Sequence, residues 1–574
     1  MESTGNLTRR SFIGTSAGGA AAIAAVLSGC GTAQTGQNQT QAAESAASTG
    51  TTIQTAYGPV KGTQEGSVRI WYGVPYAKAP VGDLRWQAPE EPESWSEERE
   101  CTEPADPAIQ YSNQEVTGTE DCLNLDIYAT EGAEKQPVLV YIHGGNNQTG
   151  TAQEIPGTDL VTNDGCVYVS LSYRLGLFGF MRLPALGEDT GNFAMLDIAC
   201  ALDWVRANIE AFGGDPDNVT VSGFSAGGRD VMAMLASPVF AGKFDKAIAY
   251  SGGMTTAEIG PSQKKEAAAL APLAVEDGKA ASEEEAYQWL LTDDAEVKTW
   301  LSGISAERLA PLMGNASIRM SVFPHLFEDD IVLPKGGFAN ADYHAVPLLM
   351  LTGTTEFSMF SAFDSFWESD PVKRFPEDEQ AAAKAFAIKY GSDMYRIFNA
   401  ECSAEAMSGS YGKDIYVCQV EFGGETSEVK IGSFGSFHGI FVPMLSSTNN
   451  YTALIPDTFD KEGYQAMGKA FNAYLRNFLM TGNPNGDGLA EWSAWDSSKK
   501  ESMAFDATET EAVIGMKDAH TSYDEILAAM DADTSVPDEL KELVATNDMA
   551  GRWFSAANDA HYGAPDFWAT PYGD

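Results

Sequence analysis

The chain is 574 residues long, 44% hydrophobic and 10% aromatic, a composition that excludes a disordered or fibrous protein. Acidic residues outnumber basic ones 81 to 36, for a formal net charge of −45, a field that repels nucleic acid and anionic membrane surfaces. Solubility is the plain reading of this acidity; steering of cationic substrates and life in salty surroundings are the alternatives.

Residues 1–30 read as an export signal. Thr8-Arg9-Arg10-Ser11-Phe12-Ile13 resembles a twin-arginine motif, and the weakly apolar Ala/Gly-rich run up to Leu27 is too short for a stable membrane span. Leu27-Ser28-Gly29-Cys30 resembles a bacterial lipobox, in which Cys30 is lipidated and becomes the new N-terminus; a soluble secreted protein cleaved nearby is the alternative. Residues 31–52, rich in Gln, Thr, Ser and Ala, fit a flexible tether, and residues 53–574 a single domain. The expected location is the outer face of the cytoplasmic membrane, with the lipid as the only membrane contact. The sequence leaves oligomeric state open.

Six further cysteines allow disulfides in an exported protein. Cys101 and Cys122 flank a polar, loop-like segment and are the expected pair; Cys402 and Cys418 are a second candidate. Cys166 starts an apolar strand and Cys200 lies on an apolar helix, so both read as buried thiols. No Cys/His cluster has ligand spacing, so neither metal nor cofactor is expected.

Ile70–Trp86 reads as a Pro/Gly-punctuated loop with several aromatics. Pro137–His143 and Val167–Tyr173 are continuous apolar runs, the pattern of buried parallel strands. A long helix over 193–212 precedes a short strand, Val219–Ser222, and Lys246–Tyr250 is a fourth strand. This alternation argues a doubly wound α/β sheet. Gly223-Phe224-Ser225-Ala226-Gly227 joins the third strand to a helix with Val231, Met234 and Leu235 on one face. A serine between glycines at such a turn is lifted clear of the sheet, at a helix N-terminus that favours developing negative charge. The pentapeptide alone is weak: Gly14-Thr15-Ser16-Ala17-Gly18 also fits, but no strand precedes it. Residues 255–345 and 361–410 are acidic and helix-rich and fit insertions that roof a pocket. The tail carries a helix, Tyr523–Ala532, and then an aromatic segment from Trp553 to Tyr572. It reads as a strap on the domain, with a partner-binding tail as the alternative.

Tyr72–Ala77, Leu84-Arg85-Trp86, Glu120–Leu125, Pro137–Gly145, Ser172–Gly176, Gly191–Gly228, Phe437-His438-Gly439 and Gly482–Asn485 follow one another in an order that resembles the type B carboxylesterase (carboxylesterase/cholinesterase) family of the α/β-hydrolase fold. The resemblance implies a mostly parallel central sheet flanked by helices, with helical insertions over the active site. It also implies a serine carboxylic-ester hydrolase acting through an acyl-enzyme on small to medium esters, and it supports the Cys101–Cys122 bridge. Amides, carbamates or lactones handled by the same triad, and a non-catalytic binding module, are the alternatives.

A serine hydroxyl needs a base, and the base needs a carboxylate, in the chain order Ser, Asp/Glu, His. Of six histidines, His438 sits in a Gly-flanked loop after a strand (Ile415–Phe422), where the family's histidine maps. Glu356 follows an apolar strand, Val346–Leu351; the family's usual Asp-Glu-Gly is Thr355-Glu356-Phe357 here, with Asp364 in reserve. Ser225, Glu356 and His438 are the expected triad. The N–H groups of Gly145, Asn146 and Ala226 are the expected oxyanion hole. Asn146 and Asn147 stand where the family has a glycine and an aromatic; asparagine tolerates left-handed backbone, and its side chain is expected to enter the site. Phe224 replaces a common glutamate, which argues against a choline-like alcohol group.

Overall fold

The computed structural model describes residues 50–187, 190–455, 457–518, 520–563 and 567–572. The expected export signal, Cys30 and nearly all of the tether lie outside these residues. An eleven-stranded sheet runs through the molecule. In chain order its strands are β1 (Thr63–Glu65), β2 (Val68–Pro75), β3 (Asn124–Thr130), β4 (Gln136–Ile142), β5 (Val167–Leu171), β6 (Gly214–Phe224), β7 (Lys246–Tyr250), β8 (Leu348–Gly353), β9 (Ile415–Val420), β10 (Glu501–Ala507) and β11 (Ala512–Asp518). Their spatial order is β11-β10-β9-β8-β7-β6-β4-β5-β3-β2-β1. From β5 through to β10 every pairing is parallel; β3, β2 and β1 at one edge and β11 at the other are antiparallel.

The apolar runs are continuous because both faces of the sheet are covered. On β4, Val138, Val140 and Ile142 enter one core with Ile198 and Leu202 of the helix Phe193–Asn208 and Val231 of the helix Ala226–Ala236. Leu139 and Tyr141 enter the opposite core with Met467, Phe471 and Tyr474 of the helix Glu462–Thr481. A third cluster lies in the insertion, where Leu270, Leu290 and Leu301 pack with Trp86 and Phe178. Among the described residues no helix is long and apolar enough to cross a membrane.

Register decides where chemistry can occur. Gly223 pairs with Ile142, Phe224 with Tyr250, Tyr250 with Leu351, and Gly353 with Val420. The carboxyl ends of β4, β6, β7, β8 and β9 therefore lie level, and the loops after them meet at one edge, where ligands bind in open α/β sheets.

Several expectations change. β2 extends into the segment read as a loop, because Val68, Ile70, Trp71 and Val74 bury themselves around its Gly and Pro. Folded structure begins before residue 53: Thr51 is buried, its carbonyl accepts from Trp71 Nε1 at 2.6 Å, and Thr52–Gln54 pairs with Pro59–Lys61. The helix over 193–212 tightens to a 3₁₀ turn at Ile209–Phe212.

The expected Cys101–Cys122 bridge is absent, and Cys402 and Cys418 are also free. The carbonyl of Cys101 is fixed to Tyr72 N–H, whereas Cys122 adjoins Leu123, whose carbonyl takes Tyr76 N–H. Each cysteine is fixed through its own backbone neighbourhood and packs as a small apolar side chain. Both are buried in the core. Burial pushes the Cys101 thiol up to about 11 and Cys122 higher still, which keeps them protonated and inert.

Candidate active site

Ser225 lies between β6 and the helix Ala226–Ala236, with φ 58° and ψ −117°. That strained turn is possible because its neighbours are glycines: a methyl on Gly223 would overlap the Gly227 carbonyl, and one on Gly227 would overlap the carbonyl of Ile142. Ser225 N–H donates to the Tyr250 carbonyl at 2.9 Å, and its own carbonyl accepts from Arg229 N–H at 3.0 Å.

His438 Nδ1 is hydrogen-bonded to Glu356 Oε2, and both side chains are fully buried. The other carboxylate oxygen of Glu356 accepts from Ser251 Oγ at 2.6 Å, Thr352 Oγ1 at 3.2 Å and Gly353 N–H at 2.5 Å. Four donors hold the acid in one orientation. His438 Nε2 is buried and has no partner among the described residues. Three rings enclose the imidazole: Tyr395 stacks at 5.6 Å, Phe224 lies at 4.7 Å, and Phe360 meets it edge-on at 5.2 Å.

Thr355, where the family's aspartate was expected, ties the acid loop to the histidine loop: Thr355 N–H donates to the Ser436 carbonyl at 2.9 Å, and Ser436 N–H donates to Thr355 Oγ1 at 3.2 Å. The reserve acid Asp364 is not part of this group. It pairs with Arg319 at 3.1 Å and Arg552 at 2.5 Å. Burial raises its pKa, but the two guanidiniums outweigh that and hold it near 2.

The loop after β4 passes beside the serine. An ideal Cβ on Gly144 would lie 3.1 Å from Ser225 Cβ and 3.4 Å from Glu154 Oε1. Gly145, Asn146 and Asn147 have φ of 98°, 58° and 56°, so the asparagines hold the left-handed backbone that their type tolerates. The N–H groups of Gly145, Asn146 and Ala226 donate to no acceptor among the described residues. The Asn146 side chain differs from expectation: its amide donates to Gln148 Oε1 at 2.8 Å, and Gln148 bonds to Ala316 N–H and the Gly314 carbonyl in the insertion. Asn147, in the aromatic's place, donates to Asp230 at 2.9 Å and accepts from Tyr173 at 2.9 Å.

A buried serine whose chain neighbour Phe224 packs on a carboxylate-held imidazole, next to a loop with free N–H groups, is an arrangement suited to acyl transfer. The sequence pattern of the carboxylesterase family matches residues 49–385, a span that contains Ser225 and Glu356. The chain belongs to the carboxylesterase family. It is 42% identical over 238 residues to the para-nitrobenzyl esterase of Bacillus subtilis (strain 168), a stretch covering 40% of this chain and 49% of that esterase. It is 27% identical over 516 residues to a medium-chain fatty acyl-CoA hydrolase precursor of Anas platyrhynchos, covering 78% of this chain and 87% of that protein. A solved PNB esterase structure superposes with a TM-score of 0.62 at 28% identity, covering 81% of this chain and 97% of that one. The fold is thus that of an α/β-hydrolase, and the protein is a carboxylesterase-type serine ester hydrolase.

Within this family the site has particulars that pattern reasoning missed. Ser251, just past β7, supports the acid. Glu154 accepts from Gly144 N–H at 2.8 Å and Tyr141 hydroxyl at 2.7 Å, and burial raises its pKa to about 7. Tyr395, on the helix Glu377–Asn399, covers the imidazole. A polar residue just past a strand's carboxyl end was the available signal for Ser251; nothing local marks Glu154 or Tyr395.

Proposed function

We propose that Ser225, His438 and Glu356 carry the ester hydrolysis, on small to medium carboxylic esters. Ser225 Oγ attacks the ester carbonyl while His438 Nε2 takes its proton. Glu356 holds the opposite ring nitrogen, fixes the tautomer and stabilises the imidazolium that forms. The oxyanion is met by the N–H groups of Gly145, Asn146 and Ala226, each worth about 3 kcal/mol at the transition state. His438 returns the proton to the leaving alcohol, and water, activated by the same imidazole, releases the acid from the acyl-enzyme.

The observation that carries this reading is the Glu356–His438 pair, whose free Nε2 belongs to an imidazole in contact with Phe224, the residue directly before Ser225. The test is steady-state hydrolysis of a para-nitrophenyl ester series of rising acyl length. Ser225→Ala is expected to lower kcat on the order of 10⁶-fold while keeping the wild-type circular dichroism. Comparable turnover by wild type and Ser225→Ala overturns the assignment.

We also propose that residues 1–30 direct export and that Cys30 carries the lipid anchor, with the folded part of the chain, which includes Thr51 and Thr52, as the working domain. The reading rests on the twin-arginine and lipobox patterns. Cys30→Ala is expected to abolish incorporation of labelled palmitate in a bacterial host; undiminished incorporation contradicts it.

A further inference from the structure

Arg229 is the fourth residue after Ser225, on the face of the helix that the serine caps, and long helical side chains lean back over the preceding turn. It is fully buried. Its partners are the ring nitrogen of His325 at 2.7 Å, the Thr255 carbonyl at 3.1 Å and the Met320 thioether at 3.5 Å, none of them anionic. His325 is neutral, because burial and the adjacent guanidinium both push its pKa down and its Nδ1 faces the Phe323 carbonyl. Asp230, next in the chain, is bonded instead to Asn147. The guanidinium carbon lies over the Trp553 ring, 4.0 Å from its centroid. Arg229 is therefore a cation taken out of water with no counter-ion bonded to it, an arrangement that proteins rarely keep without a use.

A second observation concerns unsatisfied donors. Arg229 Nε, Trp553 Nε1 and the Tyr395 hydroxyl are all buried without a hydrogen-bond partner among the described residues. Tyr395 stacks at 4.8 Å on Phe554, the chain neighbour of Trp553, and on His438, whose Nε2 is also unpartnered. Buried polar groups in native proteins are nearly always paired, so a cluster of free donors around one cation describes the complement of an anion with several acceptor oxygens. Sequence position agrees, since one end of the cluster is the base and the other leans on the nucleophile's helix.

We infer that Arg229, with Trp553 Nε1 and the Tyr395 hydroxyl, is a specificity site for a carboxylate carried by the ester substrate, which rests on the assignment of Ser225 and His438 as nucleophile and base. The net charge of the chain does not oppose this at short range: bulk charge is screened beyond about 8–10 Å in salt, whereas a buried guanidinium acts at contact. The tail takes part directly, because Trp553 comes from the C-terminal segment.

The test compares kcat/KM for two matched pairs of esters in the full chain. One pair places the carboxylate on the acyl side: mono-para-nitrophenyl glutarate against para-nitrophenyl butyrate. The other places it on the alcohol side: 4-acetoxybenzoate against 4-acetoxybenzamide. In one of the two pairs the wild type is expected to favour the anionic ester by about tenfold or more, and Arg229→Gln to lose about 10–100-fold of that ratio, mostly in KM. Arg229→Lys, which keeps the charge but not the planar fork, is expected to fall between. Which pair responds assigns the side. A purely structural clamp lowers both members of each pair equally, and that result overturns the inference. So does a wild type that favours the neutral ester in both pairs, a comparison that stands even if Arg229→Gln fails to fold. Absence of hydrolysis of every ester would instead count against the assignment of the catalytic residues.

Discussion

Each departure from the family pattern at the site has a structural consequence that a single substitution can probe. Asn146 contributes a left-handed backbone and a link to Gln148, so in the proposed mechanism its N–H, and not its amide, serves the oxyanion. Asn146→Gly keeps that backbone and is expected to hold kcat/KM within a few-fold. Asn146→Val puts a β-branched side chain at φ 58° and is expected to lose about 3 kcal/mol of transition-state stabilisation if the N–H turns away. Equal rates for the two variants in a nitrophenyl ester assay would exclude the backbone argument. Glu356→Gln is the sharper probe. An amide facing His438 favours the wrong tautomer, and kcat is expected to fall by about 10⁴ with little change in KM. Phe224 is different in kind: it packs on His438 and on Phe441, so the lost glutamate is replaced by floor beneath the imidazole.

At the scale of elements, two contacts decide whether the loops stay in register. Gly223 and Gly227 let the nucleophile turn touch backbone, and Gly223→Ala is expected to cost about 3 kcal/mol or more, read as a lower urea midpoint. The C-terminal segment is held by Arg552, which binds Asp364 and Asp548 and the Ser317 carbonyl in the insertion. Arg552→Ala leaves two buried carboxylates short of a partner and is expected to cost about 3–5 kcal/mol in chemical denaturation; a loss under about 1 kcal/mol would make the cluster dispensable. The strands were legible because β4, β5 and β7 are apolar runs of strand length, and the β6–helix turn because glycine there has a steric cause. β2 was hidden by Gly73 and Pro75. The cysteine pair was misjudged because sequence spacing does not separate a bridged pair from two buried free thiols. Ser251, Glu154, Arg229 and Tyr395 could not be read, since the parallel crossovers bring together side chains from distant parts of the chain.

For the whole molecule, acidity is also a matter of stability. Burial raises the pKa of Asp126 to about 6, of Glu154 and Asp230 to about 7, and of Asp164 and Glu266 to about 8. The unfolded chain releases these protons near pH 4, the folded chain only at the raised values, so stability falls as pH rises through that window and levels off above it. Two buried imidazoles, His143 (lowered to about 4 by burial) and His325, act in the opposite sense below about pH 6.5. The Tm is therefore expected to drop between pH 6.5 and 8, and a Tm that rises over that interval would contradict the buried-acid account.

The central claim is that Ser225 is the nucleophile of a carboxylesterase. Mass mapping after treatment with a fluorophosphonate tests it most directly. A single stoichiometric adduct is expected on the peptide bearing Gly223-Phe224-Ser225-Ala226-Gly227, absent in Ser225→Ala and much slowed in His438→Ala. An adduct on another residue, or one that persists in Ser225→Ala, would contradict it.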